Sequence, residues 1–295
     1  SFLISSINNL KESNEQDVSI HIDPTCLNWR LYSIVESYCI SSKIRISTVP
    51  SYIILLKAIK NEAELNGMRE CHIRDGVALT AFFAWLDRKM KQIKLDNSFE
   101  NLPTEYESTE VLVTFRQKMD KFLNISFTTI SSYGPNGSII HYHPTKENSS
   151  KLGFDSLYLC DSGGQYLDGT TDVTRTLHFG EPTQRMKDCF TAVLQGHIAL
   201  AQLIFPERTY GWKIDSVARL PIWRLGLEYN HGTGHGVGAH LLVHEGPQGI
   251  SSYIRGNDQG FVPGMITSNE PGYYDIDKFG IRIENLCITI LANTP

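Results

Sequence analysis

Long apolar runs are missing from this chain of 295 residues. None approaches the ~18 consecutive apolar residues of a membrane helix, so no membrane span is expected. The opening stretch SFLISSINNL lacks the basic start and small-residue cleavage site of a signal peptide. Paired cysteines are missing as well: the six present (Cys26, Cys39, Cys71, Cys160, Cys189 and Cys287) are scattered with no CxxC. In a chain of this size they read as buried thiols rather than a disulfide frame, which favours a reducing, cytoplasmic setting. There is no basic stripe and the net charge is −5, so nucleic acid is not an expected partner. Internal repeats and low-complexity tracts are also lacking. Asn-x-Ser triplets at Asn124, Asn136 and Asn148 formally permit glycosylation, but such triplets arise often by chance.

What is present is a mixed composition long enough for one large domain or two modest ones. Residues 1–55 hold short apolar runs (VSIHID, RLYSIV and the beginning of KIRISTVPSYIILLKAIK), too few for a stable core, and read as the tail end of a preceding α/β domain. Residues 56–295 form the main domain. From Asn61 to Met90 a helical pattern places Leu79, Phe82, Phe83 and Leu86 on one face. Thr104 and Glu107 make a capping box for a second helix reaching about Met119. Met186, Phe190, Val193, Leu194 and His197 mark a third, ended before Pro206, with His197 read as a core or interface residue. A fourth begins near Asp215 and must accommodate Pro221. Helices interspersed with mostly antiparallel strands give an α+β class.

Five side chains of metal-ligand type lie along the second half: Asp161 and Asp172 in DSGGQYLDGTTDVTRT, His235 in HGTGHGVG, Glu270 in SNEPGYY and Glu284 in GIRIEN. Four carboxylates converging without cations would repel one another and raise their pKa values, whereas two divalent ions neutralise them. SLYLC before Asp161 and TDVTRTLHF around Asp172 read as two strands with a Gly-rich connection, able to fold back antiparallel and bring both acids to one face. His231 and His235 have the spacing of a helical zinc site, but Gly232, Gly234, Gly236 and Gly238 would cost a helix roughly 1 kcal/mol each. An extended segment is expected instead, with residues 231, 233 and 235 on one face and glycines admitting a neighbouring backbone. His244, in LLVHEGP, is expected one strand later. Glu270 precedes Pro-Gly at a turn entrance. Arg282 alternates with Glu284 on the strand GIRIENLCITI and is expected to hold that carboxylate.

In this order and spacing the segments resemble the pita-bread metallopeptidases of peptidase family M24, and among them the Xaa-Pro aminopeptidases (aminopeptidase P) of eukaryotic cytosolic type. The similarity runs from about Lys57 through Ile290, carried by KNEAELNGMRECHIRDGVAL, SSYGPNGSIIHYHP, DSGGQYLDGTTDVTRTLHFG, HGTGHGVGAHLLVHEGP and NEPGYY followed by FGIRIEN. The resemblance implies a pita-bread fold and two divalent ions. Asp161 would bind one ion through both oxygens, His235 and Glu270 would belong to the other, and Asp172 and Glu284 would bridge. It places His141, His231 and His244 along the substrate pocket, where they stabilise the scissile carbonyl, and sets Arg282 behind the bridging carboxylate.

The implied reaction is removal of the N-terminal residue from peptides with proline second, a hydroxide shared by the two ions attacking the Xaa-Pro bond while Glu270 shuttles the proton. A donor set rich in oxygen with one nitrogen suits Mn²⁺, and Zn²⁺, Co²⁺ or iron would fit the same cage. Relatives of this type carry further domains before the catalytic one and a segment after it. This chain begins at Ser1 and stops at Pro295, so a fragment is expected, dimeric when full length. The same five ligands serve prolidases and methionine aminopeptidases, and a non-catalytic pita-bread domain that binds peptides is the rival from another class.

Overall fold

The computed structural model describes residues 4–7, 9, 19–254 and 258–294. Parts of the opening apolar stretch and the start of the VSIHID run therefore lie outside the described residues. The chain divides into two compact units, Ser1–Leu56 and Lys57–Pro295.

In the first unit, β1 (Ser19–Ile22), α1 (Trp29–Ser42) and β2 (Arg45–Thr48) make a β-α-β unit with the two strands parallel, Ile20 opposite Ile46. A parallel pair needs a crossover, and α1 supplies it. Asn28 caps that helix by accepting the Leu31 N–H, and Lys43 closes it in the left-handed region. Ile7, Ile22, Val35, Cys39 and Ile44 form a small core beneath it. α2 (Tyr52–Ala58) runs across the boundary between the units.

The second unit opens with α3 (Glu62–Asp96), started by a capping box between Asn61 and Glu64. The helix continues past Met90 because its buried stripe does: Leu65, Met68, Cys71, Asp75, Leu79, Phe82, Leu86, Met90 and Ile93 keep the helical spacing. α4 (Glu105–Arg116) begins at the expected Thr104–Glu107 box and ends three residues before Met119, where Arg116 turns its side chain inward to Asp75. Next come β3 (Phe122–Ile125), β4 (Ile130–Tyr133), β5 (Leu157–Ser162), β6 (Gly164–Tyr166), β7 (Gly169–Thr170) and β8 (Val173–His178). They form two antiparallel sheets, ordered β4-β5-β8 and β3-β6-β7. The hairpin expected around the two aspartates is thus present as β5 and β8, with a second small sheet inserted in its connection.

α5 (Gln184–Ala201) and α6 (Gly211–Trp223) follow, the latter starting four residues before Asp215 and carrying Pro221 in its last turn. The remaining strands are β9 (Gly234–His235), β10 (Gly249–Ile250), β11 (Ile266–Asn269), β12 (Gly272–Asp275), β13 (Phe279–Arg282) and β14 (Asn285–Ile288), paired antiparallel as β9-β10, β11-β14 and β12-β13. The architecture is α+β, as expected.

β5 explains where the core sits. Every residue from Leu157 to Ser162 is buried, which fits the unbroken apolar run LYLC. Leu157 joins Val193, Ile222 and Ile281 beneath α5 and α6, while Tyr158 and Cys160 join Phe82, Leu86 and Leu112 beneath α3 and α4. A strand clamped on both faces leaves its end, at Asp161, little freedom to move. All six cysteines are free, four of them buried, with Cys26 exposed and Cys287 half-buried. No helix among the described residues is long and apolar enough to cross a membrane.

Candidate active site

Asp161 lies near the end of β5, opposite Thr174 of β8 and Ile130 of β4. One of its oxygens, Oδ2, accepts from Arg282 Nη2 at 2.7 Å. The other, Oδ1, is buried and has no hydrogen-bond partner. Asp172 immediately precedes β8 and is buried. Glu284 occupies the step between β13 and β14, where its backbone N–H donates to Thr174 O and its Oε2 accepts from Thr174 Oγ1 at 2.7 Å.

On the facing side, His235 of β9 directs Nε2 toward Asp172 Oδ2 and Glu270 Oε1, 3.4 Å from each. Its Nδ1 lies 3.0 Å from Gly236 O, a contact that places the proton on Nδ1 and leaves the Nε2 lone pair for a ligand. Glu270 follows β11, its N–H bonded to Thr233 O and its Oε1 accepting from Ser268 Oγ at 3.0 Å. Ser268 Oγ in turn accepts the His235 N–H at 2.9 Å. Ligand atoms of Asp172, His235 and Glu284 all lie within 4.8 Å of one another.

The glycine spacing makes this approach possible. A Cβ at Gly234 would stand 2.0 Å from Ser268 O, and one at Gly236 2.1 Å from Glu245 O, so larger residues would push β9 away from its neighbours. The segment is extended rather than helical, as expected. The stretch after it differs: residues 239–247 hold no strand, and Leu241 and Leu242 have φ of 63° and 54°. Two consecutive left-handed residues break the alternation that LLV suggests, so His244 sits on an exposed loop instead of a strand. Its ring still lies edge-on to that of His235, centroids 4.1 Å apart.

His231 is tied on both nitrogens, Nδ1 to Gly232 O at 2.8 Å and Nε2 to Tyr274 OH at 2.8 Å. Burial, helped by the charge of Arg282, pushes its pKa down to about 3, so the ring is neutral and Nε2 accepts the tyrosine proton. His141 is exposed on the loop before Tyr142 and stands near enough to contribute to that depression. Arg282 departs from expectation in its partner. It holds Asp161 and donates to Tyr274 OH at 2.6 Å, and the hydroxyl of Thr174 holds Glu284. The reason is that GIRIENLCITI is two strands: β13 pairs with β12 as far as Arg282, β14 pairs with β11 from Asn285, and the pleat does not continue across Glu284.

Three residues that the sequence reading passed over complete the arrangement. Thr174 and Ser268 each stand two positions from a candidate ligand, Asp172 and Glu270, and Tyr274 follows Glu270 in NEPGYY. Period-two spacing was the available signal for the first two, since alternate strand residues share a face.

Electrostatics favours cations here. Burial first, then repulsion from neighbouring carboxylates, raises Asp172 and Glu284 well above the usual carboxylate range, and burial also raises Glu270. Among the described residues the one guanidinium in salt-bridge contact with a candidate ligand is that of Arg282, on Asp161. Excess buried negative charge, an unpartnered oxygen on Asp161 and an oxygen-rich donor set with one imidazole all fit divalent ions. A cavity of about 740 Å³ lined by Leu200, Phe205, Phe261 and Ile288 reaches Ser268 and Asn269 but takes in none of the five candidate ligands.

The sequence pattern of metallopeptidase family M24 matches residues 66–290. The chain belongs to metallopeptidase family M24. Its fold is the pita-bread fold of that family, and the matched stretch of this M24 chain contains all five candidate ligands. A probable Xaa-Pro aminopeptidase P of Talaromyces marneffei is 53% identical over 241 residues, covering 81% of this chain and 36% of the relative. Xaa-Pro aminopeptidase 1 of Dictyostelium discoideum is 48% identical over 285 residues, covering 97% of this chain and 44% of the relative. The M24 chain therefore spans less than half the length of these curated relatives.

Among solved structures, X-prolyl aminopeptidase of Caenorhabditis elegans, described as a cytosolic enzyme with a di-nuclear active site, superposes with a TM-score of 0.82 at 36% identity, over 98% of this chain and 45% of that one. An Xaa-Pro dipeptidase of Bacillus anthracis superposes with a TM-score of 0.79 at 22% identity, over 98% of this chain and 74% of that one, a likeness of fold.

Proposed function

We propose that this M24 chain carries the catalytic centre of an Xaa-Pro aminopeptidase, releasing the N-terminal residue of peptides with proline in second position. The observation that carries the reading is the convergence of Asp172, His235 and Glu284, with Glu270 beside His235 and the open oxygen of Asp161. The names of relatives at 53% and 48% identity support the substrate class. Asp161, Asp172, His235, Glu270 and Glu284 would hold the two divalent ions, the open Oδ1 of Asp161 and the Nε2 of His235 among the donors. Mn²⁺ matches the oxygen-rich donors. Bound there, divalent ions polarise the scissile carbonyl and make the attacking water acidic near neutral pH.

The chain's own residues do the rest. Glu270 takes a proton from the water and delivers it to the departing proline nitrogen, its side chain steadied by Ser268 on Oε1. Arg282 balances the charge of Asp161 and orients Tyr274, whose hydroxyl keeps His231 in one tautomer. His141 and His244, both exposed, would meet the carbonyls of the incoming peptide. A proline nitrogen has no hydrogen to offer in the bound peptide, so selectivity for it comes from the shape of the pocket. The parallel β-α-β unit ahead of the M24 region fits an α/β domain remnant. A cytosolic location and a homodimer complete the reading, the first supported by the description of the nematode relative.

Mn²⁺-loaded protein offered an Xaa-Pro-Xaa tripeptide, an Xaa-Pro dipeptide and a Met-starting peptide should cleave the tripeptide. Turnover of the dipeptide alone makes it a prolidase, turnover of the Met peptide alone a methionine aminopeptidase, and metal uptake below one ion per chain a peptide-binding domain.

A further inference from the structure

His141 lies on a poor support. The chain from Gly134 to Ser138 is a short 3-10 turn of sequence GPNGS, and residues 141–150 contain neither helix nor strand. A histidine carried there needs anchoring from outside the loop, because a displacement of about 1 Å in a positioning group can cost ~10²-fold in rate. The anchor is Glu105, the first residue of α4 and fully buried. Its Oε1 accepts the Tyr133 N–H at 2.6 Å and Asn136 Nδ2 at 3.0 Å, and its Oε2 accepts Tyr142 OH at 2.8 Å and the Ser150 N–H at 2.8 Å. One carboxylate thus gathers both ends and the middle of the loop, at a helix N-terminus that favours its charge.

Tyr142 carries the connection inward. Its ring packs with Ile130, Leu159 and Tyr274, and Tyr274 is the residue that donates to His231. On the other flank of His141, the carbonyl of Ile140 lies 3.5 Å from Arg282 Nη2. His141 is therefore bracketed, its preceding residue facing the arginine of the site and its following residue latched to Glu105. Asn136, formally a glycosylation triplet, directs its amide into the same latch.

We propose that Glu105 and Tyr142 are positioning residues that hold His141 where it meets the substrate, an inference that rests on the aminopeptidase reading of His141. Neither Glu105 nor Tyr142 is bonded to any of the five candidate ligands. Its test is a double-mutant cycle of Tyr142→Phe and His141→Ala, reading kcat and KM on an Xaa-Pro-Xaa tripeptide with bound Mn²⁺ measured in every variant. Tyr142→Phe should lower kcat/KM on the order of ten-fold in the parent and by less than about two-fold in the His141→Ala background, with metal content unchanged. Amide exchange should rise at residues 139–143 and stay as it was around Asp161 and His235. Glu105→Gln keeps the side-chain shape and should reproduce the same coupling. Equal losses in both backgrounds, or no loss in the parent, overturn the latch. A His141→Ala variant that turns over like the parent instead removes the role of His141 itself, and the latch with it.

Discussion

Thr174 and Ser268 show how small side chains hold a crowded set of carboxylates in place. Each donates a hydroxyl to an acid, the buried Glu284 at 2.7 Å and the half-buried Glu270 at 3.0 Å. Each hydroxyl gives its acid a fixed partner and so sets the rotamers of the two glutamates before any ion arrives. Glu270→Gln keeps the shape and the acceptor for Ser268 but cannot carry a proton. Compared at metal contents matched to the parent by added Mn²⁺, its kcat should fall by about 10²–10⁴, measured by tripeptide hydrolysis beside metal analysis. Parent-like turnover with verified metal would remove the proton role from Glu270. At this scale the candidate ligands were legible because carboxylates and imidazole in Gly-rich or strand settings are chemically conspicuous. Tyr274 was not: a tyrosine after Pro-Gly looks like any other until Arg282 and His231 are seen on its hydroxyl.

Among the elements, the capped start of α4 and the β5–β8 hairpin were legible, and the remaining pairings were not. Both capping boxes, Asn61–Glu64 and Thr104–Glu107, are local patterns and each opens a helix. The single strand read in GIRIENLCITI is two, because alternation along the chain says nothing of which neighbour each half pairs with. β9 is two residues long and exists because glycine lets it lie against β11. Gly234→Ala should therefore separate His235 from Glu270 and lose most Mn²⁺ binding in an equilibrium titration. Gly76→Ala is the contrasting case: it lies inside α3 with nothing near its would-be Cβ, and should raise stability by about 0.5–1 kcal/mol in denaturant unfolding. Unchanged Mn²⁺ affinity in Gly234→Ala would mean that the close approach of β9 does not set the site.

For the whole molecule, the site is a concentration of negative charge that folding alone does not balance. Asp172, Glu284 and Glu270 titrate above their ordinary range in the metal-free protein. The folded chain then keeps protons that the unfolded chain has released, so these groups cost stability increasingly as pH rises from the usual carboxylate range through the raised values. Divalent ions take the place of those protons. The gap in Tm between Mn²⁺-loaded and chelator-treated protein should widen from about pH 5 to about pH 8 by calorimetry, and a gap that stays constant or narrows contradicts this. By itself the amino-acid sequence determined the capped start of α4, the helical stripe of α3 and the five acid and imidazole positions, since caps, periodicity and residue chemistry are local properties. Only the tertiary structure decided which oxygen meets which donor: Arg282 reaches Asp161 across 121 positions and Thr174 reaches Glu284 across 110. Contacts at that separation depend on how strands from distant parts of the chain are brought side by side, and no local spacing encodes it.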